Sequence, residues 1–102
     1  MMRGAAFALL LIVACAARPT PPPGPAFDRQ LRERIELRLS IDHRLCPYAI
    51  RVVVYGGTAE LSGLVDGTLE QQRAETIARE AGAARVVDHL ERSLSSGDPG
   101  RC

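Results

Sequence analysis

Apolar residues in the middle of the chain first repeat at intervals of four. The positions that follow this spacing are Phe27, Leu31, Ile35 and Leu39. Such a repeat places one apolar stripe along the side of an amphipathic helix. Asp28 is a residue type that caps helix N-termini. The pattern therefore predicts a first helix that Asp28 caps and that ends near Ser40, before the break at Cys46-Pro47.

A repeat of two follows in the stretch AIRVVVYGGTAELSGLV, residues 49–65. Apolar and polar side chains alternate on either side of Gly56-Gly57, as they do in half-buried strands. Two adjacent glycines tolerate the positive φ angles of a tight hairpin turn. We therefore predict two antiparallel strands joined at these glycines.

The helical repeat then returns. Residues 68–71, Thr-Leu-Glu-Gln, have the form of a capping box, and Gly82 is suited to the position after a helix C-terminus. The apolar stripe between them comprises Ala74, Ile77, Ala78 and Ala81. A β-branched run, residues 85–90, predicts a third strand. The order of elements is thus helix, strand, strand, helix, strand.

The N-terminus has a different pattern. The uncharged apolar run from Ala5 to Ala14 has ten residues, about half of the ~20 that a membrane-spanning helix needs. Arg3 precedes the run and small residues follow it, which is the order of a secretory signal. Residues 1–14 are therefore predicted to be a signal peptide, and the chain to be exported.

The end of this run, Ile12-Val13-Ala14-Cys15, resembles the lipobox of bacterial lipoproteins. The resemblance implies that Cys15 becomes the lipidated first residue of the mature protein. Because Ala16 and not Asp follows, it also implies an outer-membrane lipoprotein that faces the periplasm. The alternative is ordinary cleavage at the Ala-x-Ala spacing of Ala14 and Ala16, which would release a soluble protein into the periplasm.

Composition adds three points to this picture. Five of the seven prolines lie between residues 16 and 26, so residues 15–26 are predicted to be the lipidated Cys and an extended linker. From Cys15 onward, twelve Arg balance twelve Asp and Glu. A net charge near zero argues against nucleic acid as a partner. The absence of Lys excludes lysine Schiff-base chemistry.

The hairpin pattern resembles the BON domain of bacterial envelope and osmotic-stress proteins. It reads Ile50-x-Val52-x-Val54-x-x-Gly57-x-Ala59-x-Leu61-x-Gly63-x-Val65, and AETIAREAGAARVVDHL, residues 74–90, resembles the second half of that domain. The resemblance covers residues 27–90. It implies an α+β fold, αββαβ, in which two helices cover one face of a three-stranded mixed sheet. We assign residues 27–94 to this domain and residues 95–102 to a C-terminal tail.

The family contributes no catalytic residue or cofactor, so the resemblance implies a protein that is not an enzyme. This chain departs from the family pattern at Ala59 and Ala83, where Val is usual, and at Asp88, where Asn is common.

Alternation along the strands assigns one set of side chains to the face of the sheet that the helices leave open. Its apolar members are Val53, Tyr55, Leu64 and Val87. These residues are one candidate surface for a protein partner. The alternative is that they are ordinary scattered apolar residues of a protein surface.

A second candidate surface lies on the first helix. At ~100° per residue, Leu37 is opposite the centre of the buried stripe, and Arg34 and Arg38 both lie on one side of the stripe. Some BON domains of outer-membrane lipoproteins bind acidic phospholipid through such a helix, so the resemblance implies a lipid contact here. The alternative is a solvated helix face.

Cysteine usage predicts a disulfide. With Cys15 assigned to lipid, Cys46 and Cys102 remain as a pair in an oxidising compartment. Cys46 precedes the first strand, and an antiparallel third strand would end at the same edge of the sheet. We therefore predict an intramolecular Cys46–Cys102 bond, against the alternatives of a free tail thiol or an intermolecular bridge.

Catalytic and metal chemistry have little support. Asp88 and His89 are adjacent on a predicted strand and point to opposite faces, so they cannot form part of a triad. A zinc site at His43, Cys46, His89 and Cys102 has no recognised spacing, and we predict no metal and no cofactor.

Two functions of different classes remain. The first is a non-enzymatic, lipid-anchored envelope protein whose domain binds phospholipid surfaces and supports outer-membrane integrity or stress tolerance. The second is an interaction module that docks on an envelope complex, or on another copy of itself, through the open sheet face.

Overall fold

The computed structural model describes residues 24–102. The predicted signal peptide, Cys15 and most of the predicted linker lie outside these residues. The elements are α1 (Pro25–Ile41), β1 (Arg51–Tyr55), β2 (Thr58–Val65), α2 (Thr68–Ala81) and β3 (Arg85–Arg92), followed by a short 3-10 helix, Pro99–Arg101. The predicted order of elements is confirmed. Within residues 24–102 no helix has both the length and the apolar character to cross a membrane.

The three strands form one mixed sheet with β2 in the centre. β1 runs antiparallel to β2, and β3 runs parallel to β2, so β3 is antiparallel to β1. Alternate strand residues face the helices, and Val52, Leu61, Val65 and Leu90 among them are buried. This arrangement is the predicted α+β fold.

The hairpin turn is tied to the start of α1. Gly56 and Gly57 both have positive φ, as the tight turn requires. Their backbone N–H groups donate to the Asp28 carboxylate at 2.9 and 3.0 Å. The prediction that Asp28 caps α1 is therefore wrong, because the helix begins earlier, after Gly24. Asp28 instead satisfies two donors of a turn that is distant in sequence.

The capping box at the start of α2 is also a wrong prediction. Gly67 occupies the N-cap position without a side-chain cap, and Thr68 is the first helical residue. The Thr68 hydroxyl accepts a hydrogen bond from Arg92 Nη1 at 2.7 Å, which joins α2 to the end of β3. Gly82 ends the helix with φ +121°, as predicted.

The helices lie antiparallel to each other. Arg34 Nη1 donates to the Ala81 carbonyl at 2.7 Å, near the end of α2. At the other end of the pair, Arg73 Nη2 lies 2.9 Å from an Asp42 carboxylate oxygen. These two contacts join the middle and the C-terminal end of α1 to the C-terminal end and the first half of α2, respectively.

The core is small and continuous between helices and sheet. Leu31, Ile35 and Leu39 are buried as predicted, but Phe27 is exposed. Each i+4 step rotates by about 400°, which is about 40° more than a full turn. The four residues from Phe27 to Leu39 therefore spread over about 120° of the helix surface, and Phe27, the first of them, lies outside the interface with the sheet. The whole buried cluster comprises Leu31, Ile35, Leu39, Leu45, Val52, Ala59, Leu61, Val65, Ala74, Ile77, Ala78, Ala81 and Leu90.

Gly63 marks a close approach between two chain segments. Its φ is +134°, and a Cβ there would lie 2.6 Å from the Ala49 carbonyl oxygen. A side chain at this position would displace the segment that leads into β1.

A Cys46–Cys102 disulfide joins the loop after α1 to the end of the tail. The tail is held by further contacts on the way: Ser96 donates through N and Oγ to Asp66 Oδ1, and Asp98 N donates to the Pro47 carbonyl. The residues assigned to a tail thus pack along the loop that carries Cys46. The same loop buries Leu45.

Removal of the disulfide should destabilise the domain. The bond closes a loop with a sequence separation of 56 residues, which is worth about 4 kcal/mol in the chain-entropy description. Because Cys102 is exposed and Cys46 is buried, Cys102→Ser removes the bond without opening the core. We expect a lower midpoint of chemical denaturation for this variant, equal to that of the reduced wild-type chain. Alkylation of the unreduced wild-type domain at Cys46 or Cys102 would contradict the bond.

Two carboxyl groups meet where α2 packs on β3. Asp88 Oδ1 accepts from the Leu90 N–H at 2.7 Å, whereas Asp88 Oδ2 is buried and receives no N–H or O–H from residues 24–102. Glu75 on α2 lies against it. The hydrogen bond with Asp88 and, secondly, burial raise the pKa of Glu75 above its usual value of 4.5. A proton on Glu75 supplies the donor that Oδ2 lacks.

This pair predicts a dependence of stability on pH. A raised pKa in the folded state means that the folded chain binds the proton more tightly than the unfolded chain. The free energy of unfolding should therefore fall as pH rises from 4.5 through the raised pKa of Glu75. Glu75→Gln, whose amide donates at every pH, should remove this fall, and so should Asp88→Asn. Chemical denaturation across pH 4 to 8 measures the difference, and an unchanged pH profile in both variants would refute it.

Candidate functional site

The first candidate surface is the α1 face, which comprises Arg34, Leu37 and Arg38. Leu37 is well exposed and both arginines reach the surface. Arg34 has a structural role in addition, because one of its guanidinium nitrogens is bonded to the Ala81 carbonyl. That bond holds the Arg34 head group at the end of α2. Arg38 has no ion pair or hydrogen bond from its side chain within the described residues.

The α1 face is larger than the sequence indicates. Ile41, one turn after Leu37, is still more exposed. It lies four residues from Leu37 on a helix that reaches Ile41, and this spacing brings side chains together. The predicted end near Ser40 leaves Ile41 outside the helix, so the sequence pattern misses this pair. Leu37 and Ile41 form an apolar pair beside Arg38.

The second candidate surface is the sheet face, which comprises Val53, Tyr55, Leu64 and Val87. All four lie on the open side of the sheet, but the strand register does not bring them into one patch. Glu60 on the central strand pairs with Val53 on one side and Val87 on the other. Leu64 lies at the far end of β2 from Tyr55. A carboxylate thus interrupts the apolar surface at its centre.

Glu60 also collects polar partners on this face. The Tyr55 hydroxyl donates to Glu60 Oε1 at 2.8 Å, and His89 Nε2 lies 4.0 Å from the same oxygen. The hydrogen bond to Glu60 raises the pKa of Tyr55. The three groups lie on an open sheet and have no cleft to exclude water from a reaction.

One cleft lies beside the disulfide, and sequence reasoning did not identify it. It has a volume of about 530 Å³ and runs between the end of α1, the start of β1 and the tail. Two guanidinium groups and one carboxylate, from Arg51, Arg101 and Glu36, stand around a floor that includes Leu39 and Val52. The charges are mixed and the walls are polar and apolar in similar measure, so the cleft has no marked preference for one ligand class.

The disulfide is incompatible with the zinc site at His43, Cys46, His89 and Cys102. That site required the thiolates of Cys46 and Cys102, and the two sulfurs are bonded to each other. Among residues 24–102 there is no cluster of three or more His, Cys, Asp or Glu side chains arranged to hold a metal ion.

Comparison with protein families assigns most of the described chain to one family. Residues 27–92 match the family described as BON domain. No match was found among curated proteins, and none among solved structures. BON domains are binding domains associated with membranes and phospholipid, and the bacterial proteins that carry them are typically periplasmic or membrane-associated. With this match over well more than half of its length and with the αββαβ fold, the chain belongs to the BON domain family.

Proposed function

We propose that this chain is a lipid-anchored envelope protein whose BON domain binds acidic phospholipid surfaces and so supports outer-membrane integrity or stress tolerance. Cys15 carries the anchor, and residues 15–26 link it to the domain. The α1 face is the contact with the lipid. The domain has no catalytic role in this proposal.

The observation that carries the proposal is an exposed apolar side chain beside two cations on one helix. Leu37 faces away from the core, with Arg34 and Arg38 on neighbouring positions. A surface helix that presents aliphatic side chains beside arginines places the aliphatic groups at the acyl boundary and the guanidinium groups at phosphate level. Ile41 extends the apolar part by one turn.

The bond between Arg34 and Ala81 supports this use of α1. Because the guanidinium group is already held at the surface, it loses less side-chain freedom when it meets a phosphate. Four of the five guanidinium donors are left after the single bond to the carbonyl. Arg34 can therefore join the helices and contact lipid at the same time.

The sheet face is the alternative surface, for a protein partner or a second copy. The sheet face is less suited than the α1 face to an apolar contact, because the strand register places Glu60 between Val53 and Val87. A partner would have to satisfy that carboxylate. The exposed Tyr55 and Leu64 nevertheless make this face a suitable control surface.

Vesicle flotation tests the lipid contact. The mature chain, residues 15–102, with Cys15→Ser cannot be lipidated and has no apolar signal run; it should float with vesicles of phosphatidylcholine and phosphatidylglycerol in equal parts, and not with phosphatidylcholine alone. Binding should weaken as ionic strength rises. Since each arginine near an anionic surface contributes about 1 kcal/mol, Arg38→Glu should weaken binding by roughly tenfold or more.

Arg29→Glu is the matched control for this charge reversal. Arg29 is exposed on the same helix, but on the opposite side from Arg38, and its reversal changes the net charge equally. Equal losses from the two reversals would mean that net charge and not the α1 face drives binding. Absence of flotation in the Cys15→Ser chain, with a folded domain by circular dichroism, would refute the lipid function.

A sheet-face variant separates the two candidate functions. Val53→Ser with Tyr55→Ser should leave flotation unchanged, because these residues lie on the side of the sheet away from α1. If this double variant lost lipid binding while Arg38→Glu kept it, the contact would belong to the sheet face.

A further inference from the structure

The most exposed apolar side chains of the described chain do not lie on the sheet face. Among residues 24–102 the four highest exposed fractions of large apolar residues are 86% for Leu94, 72% for Ile41, 64% for Leu69 and 61% for Leu37. The other exposed large apolar residues, Phe27 and those of the sheet face, reach at most 52%. The proposed function uses Leu37 and its neighbour Ile41 but leaves Leu69 and Leu94 unexplained.

Polar contacts place three of these residues at one end of the domain. Thr68, beside Leu69, is bonded to Arg92 at the end of β3, and Ser93, beside Leu94, donates its N–H to the Val65 carbonyl. Glu70 lies 3.7 Å from Arg44, in the loop that follows Ile41. The end of α1, the start of α2 and the end of β3 therefore lie together here. We call this end the loop pole and define it by Ile41, Leu69 and Leu94.

The charges at the loop pole are arranged unequally with respect to solvent. The Asp42 side chain is 10% exposed, and that of its partner Arg73 is 48% exposed. Glu70 and Arg44 show the same contrast, at 19% and 49%. The carboxylates are turned toward the protein and the guanidinium groups toward water. These two pairs therefore present more positive than negative charge to solvent.

We propose that the loop pole enters the headgroup region of an acidic bilayer, with Ile41, Leu69 and Leu94 at the acyl boundary. The inference rests on the proposed function and adds an orientation to it. The C-terminal end of α1 points toward the bilayer, and the axis of α1 does not lie parallel to the membrane surface. Leu37, one turn above Ile41, forms the upper edge of the contact.

A lipid surface fits the loop pole better than a protein does. The three aliphatic side chains come from the end of α1, the start of α2 and the segment after β3, and none of them lines the cleft beside the disulfide. A bilayer interface accepts separate aliphatic groups, and its phosphates match half-exposed arginines. The charge arrangement therefore favours an anionic bilayer as the occupant.

Single tryptophans can test this orientation, because the chain contains no Trp. Leu69→Trp, Leu94→Trp, Leu37→Trp and, as a control, Tyr55→Trp at the hairpin end of the sheet face would be made in the Cys15→Ser chain. Each would be mixed with vesicles of phosphatidylcholine and phosphatidylglycerol in equal parts that carry brominated acyl chains. Tryptophan fluorescence of the Leu69→Trp and Leu94→Trp chains should shift to the blue and be quenched, while that of the Tyr55→Trp chain should not change.

The outcomes separate this inference from the proposed function. Quenching at position 37 alone would mean that α1 binds lipid without the loop pole, which overturns the inference and leaves the proposed function standing. Flotation without quenching at positions 69 and 94 would also overturn it. Absence of flotation in all four chains would refute both. As a second readout, Leu69→Ser with Leu94→Ser should weaken binding by roughly tenfold, and Tyr55→Ser should not.

Discussion

Both helices must share one face of a three-stranded sheet, and the rest of the structure follows from this constraint. Small side chains on α2, among them Ala74 and Ala78, let that helix lie close to the sheet beside α1. So small a core leaves the domain marginal. Long-range hydrogen bonds and one covalent bond compensate: Asp28 holds the hairpin turn, Arg34 holds the end of α2, and a disulfide holds the tail.

The same constraint divides the surface into two unlike sides. The open sheet face carries a central carboxylate, Glu60, with polar partners on either side. The helical side carries Leu37 and Ile41 next to arginines, and its loop end adds Leu69 and Leu94. A domain with one polar, flat side and one apolar, basic end is asymmetric in the way that a protein resting on a membrane needs to be.

Local patterns were sufficient for the fold but not for the contacts between elements. The two-residue alternation around Gly56-Gly57 and the stripe from Ala74 to Ala81 predicted the hairpin and α2, because the period of a pattern depends only on neighbouring residues. The role of Asp28 could not be predicted in this way, since its partners lie 28 and 29 residues away. Glu75 and Asp88 were missed for the same reason. The exposure of Leu37 could be predicted from helical geometry, whereas only the folded chain brings Leu69 and Leu94 to the same end of the domain as Ile41.

The disulfide also divides the domain covalently. The bond between Cys46 and Cys102 closes a ring that contains β1, β2, α2 and β3, while α1 lies outside it. A protease that cuts one peptide bond inside the ring leaves a single molecule, whose two parts stay joined through sulfur. A cut between Ile41 and Cys46 separates α1, with everything N-terminal to it, from the sheet, and only non-covalent contacts then keep the two together. Among the elements of residues 24–102, α1 is thus the one that a single cleavage can release.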